Sequence, residues 1–202
     1  MPMLELEKQA RPMNLELGTR LDRFDATQGL DRGKPKWFEA VWYLVKCVFF
    51  LSPLPWPVSL KRALLKAFGA KVGASVNIKP RVNIHFPWKL ELGDWCWLGE
   101  EVFILNFEKV SIGAHACISQ RVFLCCGNHD FRDPTFPFRN AGITVGDGAW
   151  VGAQCFVGPG VTVADHAIAT AGSVVIRHLP VGYICSGNPC VPVKPRWKEE
   201  AR

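Results

Sequence analysis

The sequence predicts a mainly β protein, a parallel β-helix of six-residue repeats, and three observations carry that expectation. From Val72 onward aliphatic residues recur every six positions, as Val72, Ile78, Ile84, then Leu92, Leu98, Ile104, then Ile112, Ile118, Leu124, and again as Val145, Val151, Val157, Val163, Ala169 and Val175. Four residues after most of them stands a small or apolar residue, among them Val76, Val82, Cys96, Ala116, Ala149, Cys155 and Ala167. Glycine often follows the aliphatic directly, as at Gly73, Gly93, Gly99, Gly113, Gly146, Gly152 and Gly158. A helical face repeats at about 3.6 residues and a strand face at about 2, so a period of six fits neither. It fits a chain in which each unit gives one short strand and one corner, and three units close a triangular coil. The aliphatic side chains then point inward and stack on the next coil, so no coil is stable alone.

The elements follow in order. Residues 1–35 are polar, carry both signs of charge and read as an extended or loosely held N-terminal segment. They lack the apolar core of a secretory signal. Residues 36–70 read as two helical pieces, Trp37–Leu51 and Val58–Phe68, separated by Ser52-Pro-Leu-Pro-Trp-Pro57 and stopped by Gly69. The first piece contains Glu39 and Lys46 and falls short of the roughly 20 residues that a membrane span needs. It reads as a helix packed on the body, with Trp37, Trp42, Phe49 and Phe50 as candidates for peripheral contact with a lipid surface. Residues 71–185 form the β-helix, and 186–202 a C-terminal tail.

The interruptions place the function. The fifteen aliphatic positions make about five coils, with steps of eight after Ile84 and Ile104 and a step of 21 after Leu124. Each break follows a third unit, so all three fall at one corner of the prism. The longest, residues 127–142, projects there as a loop, and loops on rigid repeats are where function tends to reside. This one opens Gly127-Asn-His-Asp-Phe131, with His129 anchored at its root. Imidazole titrates near neutral pH, so it can take a proton from a hydroxyl and return it to a leaving group. The other four are weaker candidates: His85 and His115 lie at or near corners of earlier coils, His166 in a late turn, and His178 before the exit from the β-helix.

Composition removes several alternatives. The net charge of +6 comes partly from two basic groups, Lys61, Arg62, Lys66 and Lys71, and Arg177, Lys194, Arg196 and Lys198. Neither is a dense run or a nucleic-acid motif, and an anionic small molecule accounts for the surplus equally well. The eight cysteines show no C-x-x-C pair or Cys/His ligand spacing, so they read as reduced, buried fillers in a cytosolic protein without a metal requirement. No G-x-S-x-G elbow, P-loop or dinucleotide fingerprint occurs.

Beyond the repeat, longer segments resemble the bacterial hexapeptide-repeat acetyltransferases, above all those of the colanic acid biosynthesis type. These are "FGAKVG" (68–73), "NIKPRVNIHFPWKLELGD" (77–94), "CISQRVFLCCGNHDFRDPTFPF" (117–138), "VGDGAWVGAQCFVGPGVTV" (145–163) and "SGNPCVPVKPR" (186–196). The resemblance implies a left-handed β-helix, a homotrimer with active sites between subunits, and acetyl-CoA as donor to a sugar hydroxyl. It implies His129 as the general base, with Asp130 helping to orient the loop. For the donor it implies Trp150 beside the active site, Ala153 and Ala171 as backbone contacts to the pantetheine arm, and Arg177 and Lys194 near the phosphates. Where galactoside enzymes carry a threonine and an arginine this chain has Ile176 and Val191, and their acceptor-binding asparagine falls near Gly99. Asn106 and Glu100 are the substitutes expected there, and the acceptor is expected to differ from a simple galactoside. An amino-sugar N-acetyltransferase, and a non-catalytic or metal-dependent β-helix, are the competing readings.

Overall fold

The computed structural model describes residues 18–197; Lys198 and the ends of both terminal segments lie outside the described residues. Five coils follow the repeat unit by unit: β1 to β3 (Lys71–Val72, Asn77–Ile78, Asn83–Ile84), β4 to β6 (Leu90–Leu92, Trp97–Leu98, Phe103–Leu105), β7 to β9 (Val110–Ile112, Cys117–Ile118, Phe123–Cys125), β10 to β12 (Ile143–Val145, Trp150–Val151, Phe156–Val157) and β13 to β15 (Thr162–Val163, Ile168–Ala169, Val174–Val175). Each strand pairs in parallel with its counterpart one coil on, giving three faces: sheet A (β1-β4-β7-β10-β13), sheet B (β2-β5-β8-β11-β14) and sheet C (β3-β6-β9-β12-β15). A partial sixth coil extends the expected number. Leu179 bridges Val163, β16 (Tyr183–Ser186) pairs with β14, and β17 (Val191–Pro195) folds back antiparallel on β16. Most of what reads in sequence as a C-terminal tail is thus the hairpin that closes sheet B.

The register explains the period. Leu98, Ile104, Ile118, Leu124, Val151, Val157, Val163, Ala169 and Val175 are wholly enclosed, and Cys96 and Cys155 fill corners beside them. Neighbouring coils lie about 4.8 Å apart, so each inward side chain rests on its equivalent above and below. The two uninterrupted corners need a left-handed residue in every coil. Between sheets A and B it is Ser75, Trp95, His115, Gly148 and His166, and between sheets B and C it is Arg81, Glu101, Arg121, Gln154 and Gly172.

The helical region caps the first coil. α1 (Lys36–Val45) runs into a wider turn at Lys46–Phe50, closed by Leu51 N–H on the Lys46 carbonyl, and α2 spans Val58–Ala67. Trp42, Phe50 and Leu65 are buried against the coil, and the Trp42 indole N–H donates to the Ile84 carbonyl at 3.1 Å. Gly69 ends α2 at φ +90, its N–H on Lys66 and that of Ala70 on Leu65, a closure that only glycine makes without strain. Burial of Trp42 and Phe50 corrects the expected lipid-facing set. Trp37 does point outward, and Val41, Tyr43, Leu44 and Val48 are exposed with it. A second correction concerns residues 18–35, which are not loosely held. Arg20 N–H reaches the Pro134 carbonyl, the Trp88 indole N–H reaches the Arg32 carbonyl, and Phe24 packs edge-on to Phe138.

Candidate active site

All three insertions leave sheet C and return to sheet A, so residues 85–89, 106–109 and 127–142 stack on one edge. His85 and Phe107 meet at 5.1 Å between ring centroids, and Phe107 and Phe138 at 5.8 Å, which makes a column of rings down that edge. Asn106 belongs to this column as a staple. It is fully enclosed, its carbonyl accepts the Phe86 N–H at 2.8 Å and its amide donates to the Phe86 carbonyl. One donor and one acceptor of the amide are taken by Phe86, and the enclosed side chain ties the corner together. Glu100 is exposed on a different corner, between sheets B and C.

The long loop is a narrow hairpin. Arg139 N–H bonds to Asn128, Asp130 N–H to Pro137 and Ala141 N–H to Cys126, and His129 bridges Phe138. The His129 ring is half-buried between Phe136, stacked at 4.2 Å, and Phe24, edge-on at 5.6 Å. Its Nδ1 lies 2.8 Å from the Phe136 carbonyl oxygen. A carbonyl only accepts, so in the neutral ring Nδ1 carries the proton and Nε2 holds the lone pair. No hydrogen bond reaches Nε2 among the described residues. Phe136 aims its carbonyl from φ +52, a left-handed conformation uncommon for an aromatic residue and of the kind that gathers at functional sites. Nothing in the sequence singled out Phe136, because its contribution is a backbone oxygen. The Asp130 carboxylate faces elsewhere, accepting Arg132 N–H at 3.1 Å, so it shapes the turn.

Beneath the loop a groove of about 490 Å³ runs along the same edge, lined by Asn128, Arg139, Asn140, Ala141, Gly158, Pro159 and Ile176. Arg177 follows Ile176, exposed and without an ion pair among the described residues. The other sequence-flagged residues lie across the prism. Trp150 stands on the outer face of sheet B, 46% exposed, with its indole N–H on the Ser119 hydroxyl at 2.8 Å. Register carries the row from Trp150 through Ile168 and Ile184 to Lys194. Ala153 and Ala171 occupy one corner position in successive coils between sheets B and C, joined by Gly172 N–H on the Ala153 carbonyl. Their own amide N–H groups meet no acceptor among the described residues, leaving two unpaired donors one coil apart. Sheet B is the face opposite the edge that bears His129, so one chain does not bring His129 and Trp150 together. Among the described residues no group of three or more His, Cys, Asp or Glu side chains is placed to hold a metal ion.

Comparison with known proteins supplies the family. The Escherichia coli K12 protein WcaF, named for acetyl transfer in colanic acid biosynthesis, is 36% identical over 183 residues, which are 89% of this chain and 98% of that one. The chain belongs to this acetyltransferase family. It is also 26% identical over 144 residues to the galactoside O-acetyltransferase of the same organism, covering 67% of this chain and 68% of that one. Among solved structures, the fold of this acetyltransferase matches a hexapeptide-repeat acetyltransferase of Vibrio cholerae complexed with acetyl coenzyme A. The TM-score is 0.75 at 18% identity, covering 93% of this chain and 100% of that one. A galactoside acetyltransferase in complex with coenzyme A matches at a TM-score of 0.72 and 22% identity, over 96% and 91% of the two chains. A scan against family models finds no match.

Proposed function

We propose that this acetyltransferase moves the acetyl group of acetyl-CoA to a hydroxyl of a sugar used in exopolysaccharide or another surface glycan, with His129 as general base. The observation that carries this reading is the Nδ1–H bond of His129 to the Phe136 carbonyl, which leaves Nε2 as an oriented acceptor. Nε2 takes the hydroxyl proton as the sugar oxygen attacks the thioester carbonyl. The tetrahedral intermediate collapses by breaking the C–S bond, and the imidazolium returns its proton to the leaving CoA thiolate. Backbone N–H groups facing the thioester oxygen would stabilise the charge that develops there.

The chain works as a homotrimer whose site is completed between subunits. Support comes from the separation of His129 from Trp150 on the opposite sheet and from Ala153 and Ala171 at a different corner of the prism. A neighbour's sheet B would face the groove beneath the loop. The free amides of Ala153 and Ala171 suit the two amide carbonyls of a pantetheine arm, and Arg177 and Lys194 suit the CoA phosphates. Arg139, which the sequence reading passed over, adds a further cation at the groove. Matched hydroxyl and amine sugar acceptors, given with acetyl-CoA to the purified protein, test the reading through release of free CoA. Release driven by hydroxyl acceptors supports it. Release driven only by the amines would make the protein an N-acetyltransferase, the class represented among solved structures of this fold by an N-acyltransferase of Bacillus cereus.

A further inference from the structure

Away from the groove, α1 carries a second built feature. Its outward residues Trp37, Val41, Leu44 and Val48 are 66%, 44%, 66% and 52% exposed, and their i, i+4, i+7, i+11 spacing makes one continuous apolar row. Leu54, just beyond the helix, is 56% exposed. The polar flank of the same helix borders a pocket of about 390 Å³, lined among others by Arg32, Lys36, Glu39, Tyr43, Lys46 and His85.

Lys46 is the unusual member. It is only 6% exposed, yet no carboxylate or hydrogen-bond acceptor meets its ammonium among the described residues, and its one close partner is the Tyr43 ring at 5.3 Å. Among the described residues the one acid lining the pocket, Glu39, is already held by both arms of Arg32 at 2.8 and 2.7 Å. His85 adds no charge, because burial, with Lys46 and Arg32 nearby, pushes its pKa down to about 4. The side chain is enclosed but its ammonium still reaches solvent at the pocket, so an anion that enters there meets an unpaired cation. Between residues 31 and 50 the bases Arg32, Lys34, Lys36 and Lys46 outnumber the acids Asp31 and Glu39 by four to two. No helix among the described residues is long and apolar enough to cross a membrane.

We propose that α1 docks this protein on an anionic phospholipid surface, with the row from Trp37 to Val48 in the headgroup–acyl boundary and a headgroup phosphate in the Lys46 pocket. The apolar row supplies contact area and the pocket supplies preference for negative headgroups. This docking stands apart from acetyl transfer and would bring the catalytic edge to acceptors carried on lipid.

Co-sedimentation of the full chain with vesicles tests it, using phosphatidylglycerol-rich vesicles against pure phosphatidylcholine. Binding at least about tenfold stronger to the anionic vesicles is expected. Leu44→Glu, on an exposed residue, should remove that binding by a similar factor while CoA release with a water-soluble acceptor stays unchanged. Lys46→Met should lose the preference for anionic vesicles and Lys46→Arg should keep it, thermal melts confirming that both fold. Equal binding to both vesicle types, or unimpaired binding by Leu44→Glu, would overturn the proposal. So would a change of oligomeric state in Leu44→Glu by light scattering, which would make the row a contact between copies of this chain. Vesicle binding with no acetyl transfer to any acceptor would leave the docking standing and remove the enzymatic reading instead.

Discussion

The edge between sheets C and A and the sheet opposite it are built from the same repeat and do opposite things with it. Sheet B runs without interruption through seven strands once β16 and β17 are added, and its outer face is set by register alone. The opposite edge is interrupted in three successive coils and carries the rings of His85, Phe86, Phe107, Phe138 and His129. Regularity gives sheet B a fixed row of side chains and unpaired amides, suited to holding a long, extended donor. Irregularity gives the edge a place for one side chain at an angle that no repeat position offers. The repeat scaffold keeps the two apart within one chain, and the proposed mechanism therefore requires assembly.

Substitutions on the two sides should therefore separate binding from chemistry. His129→Ala is expected to lower kcat by at least about 100-fold with the thermal melt unchanged, since general-base catalysis is worth that much or more. Trp150→Ala should chiefly raise the KM for the acetyl donor. Steady-state kinetics that show both variants failing in kcat alone would erase the distinction. Two glycines, one from each side, should also differ in stability. An added Cβ at Gly152, on the sheet B side, would lie 2.6 Å from the Ala171 nitrogen, which is backbone and cannot give way cheaply. At Gly158, in the groove, it meets nothing closer than 3.5 Å. Denaturant melts should show Gly152→Ala destabilised by about 1–3 kcal/mol or more and Gly158→Ala changed by less than about 0.5 kcal/mol.

Ser119→Ala removes the acceptor that fixes the Trp150 indole and should raise the donor KM a few-fold without moving the melting temperature, a readout that tests positioning. Smaller still is the pH dependence at the interrupted edge. His85 has a folded-state pKa of about 4 against an ordinary 6.5, so between these values the unfolded chain binds a proton that the folded chain refuses. Stability must then fall as pH drops from about 6.5 towards about 4, and His85→Phe should flatten that slope in a melting series.

The sequence made the coils legible because inward stacking forces a residue type at every sixth position, and it located the edge because three insertions shared one phase. His129 could be read for the same reason, standing at the root of the longest break. What stayed hidden has physical causes. The Phe136 carbonyl depends on a backbone angle that leaves no side-chain signature. Asn106 reads as a ligand by type, yet corner polarity is satisfied internally by Phe86. The first helix packs on the body as its sequence suggested, and the inward turn of Phe50 was hidden because the wider turn at Lys46–Phe50 shifts the helical phase. Residues 18–35 gave no apolar period, and the contacts that fix them are a single ring, Phe24, against the His129 hairpin and hydrogen bonds made through the Arg20 N–H and the Arg32 carbonyl.

Co-expression of His129→Ala with Trp150→Ala tests the shared site most directly. With acetyl-CoA held well below the raised KM of Trp150→Ala, each variant alone should be severely impaired in all three sites of its trimer. In randomly mixed trimers about a quarter of the sites would pair an intact His129 from one chain with an intact Trp150 from its neighbour, by the combinatorics of a cyclic assembly. CoA release recovering towards that fraction is the result expected here. Mixed assemblies no more active than either parent would mean that the edge and the opposite sheet never meet across a subunit boundary.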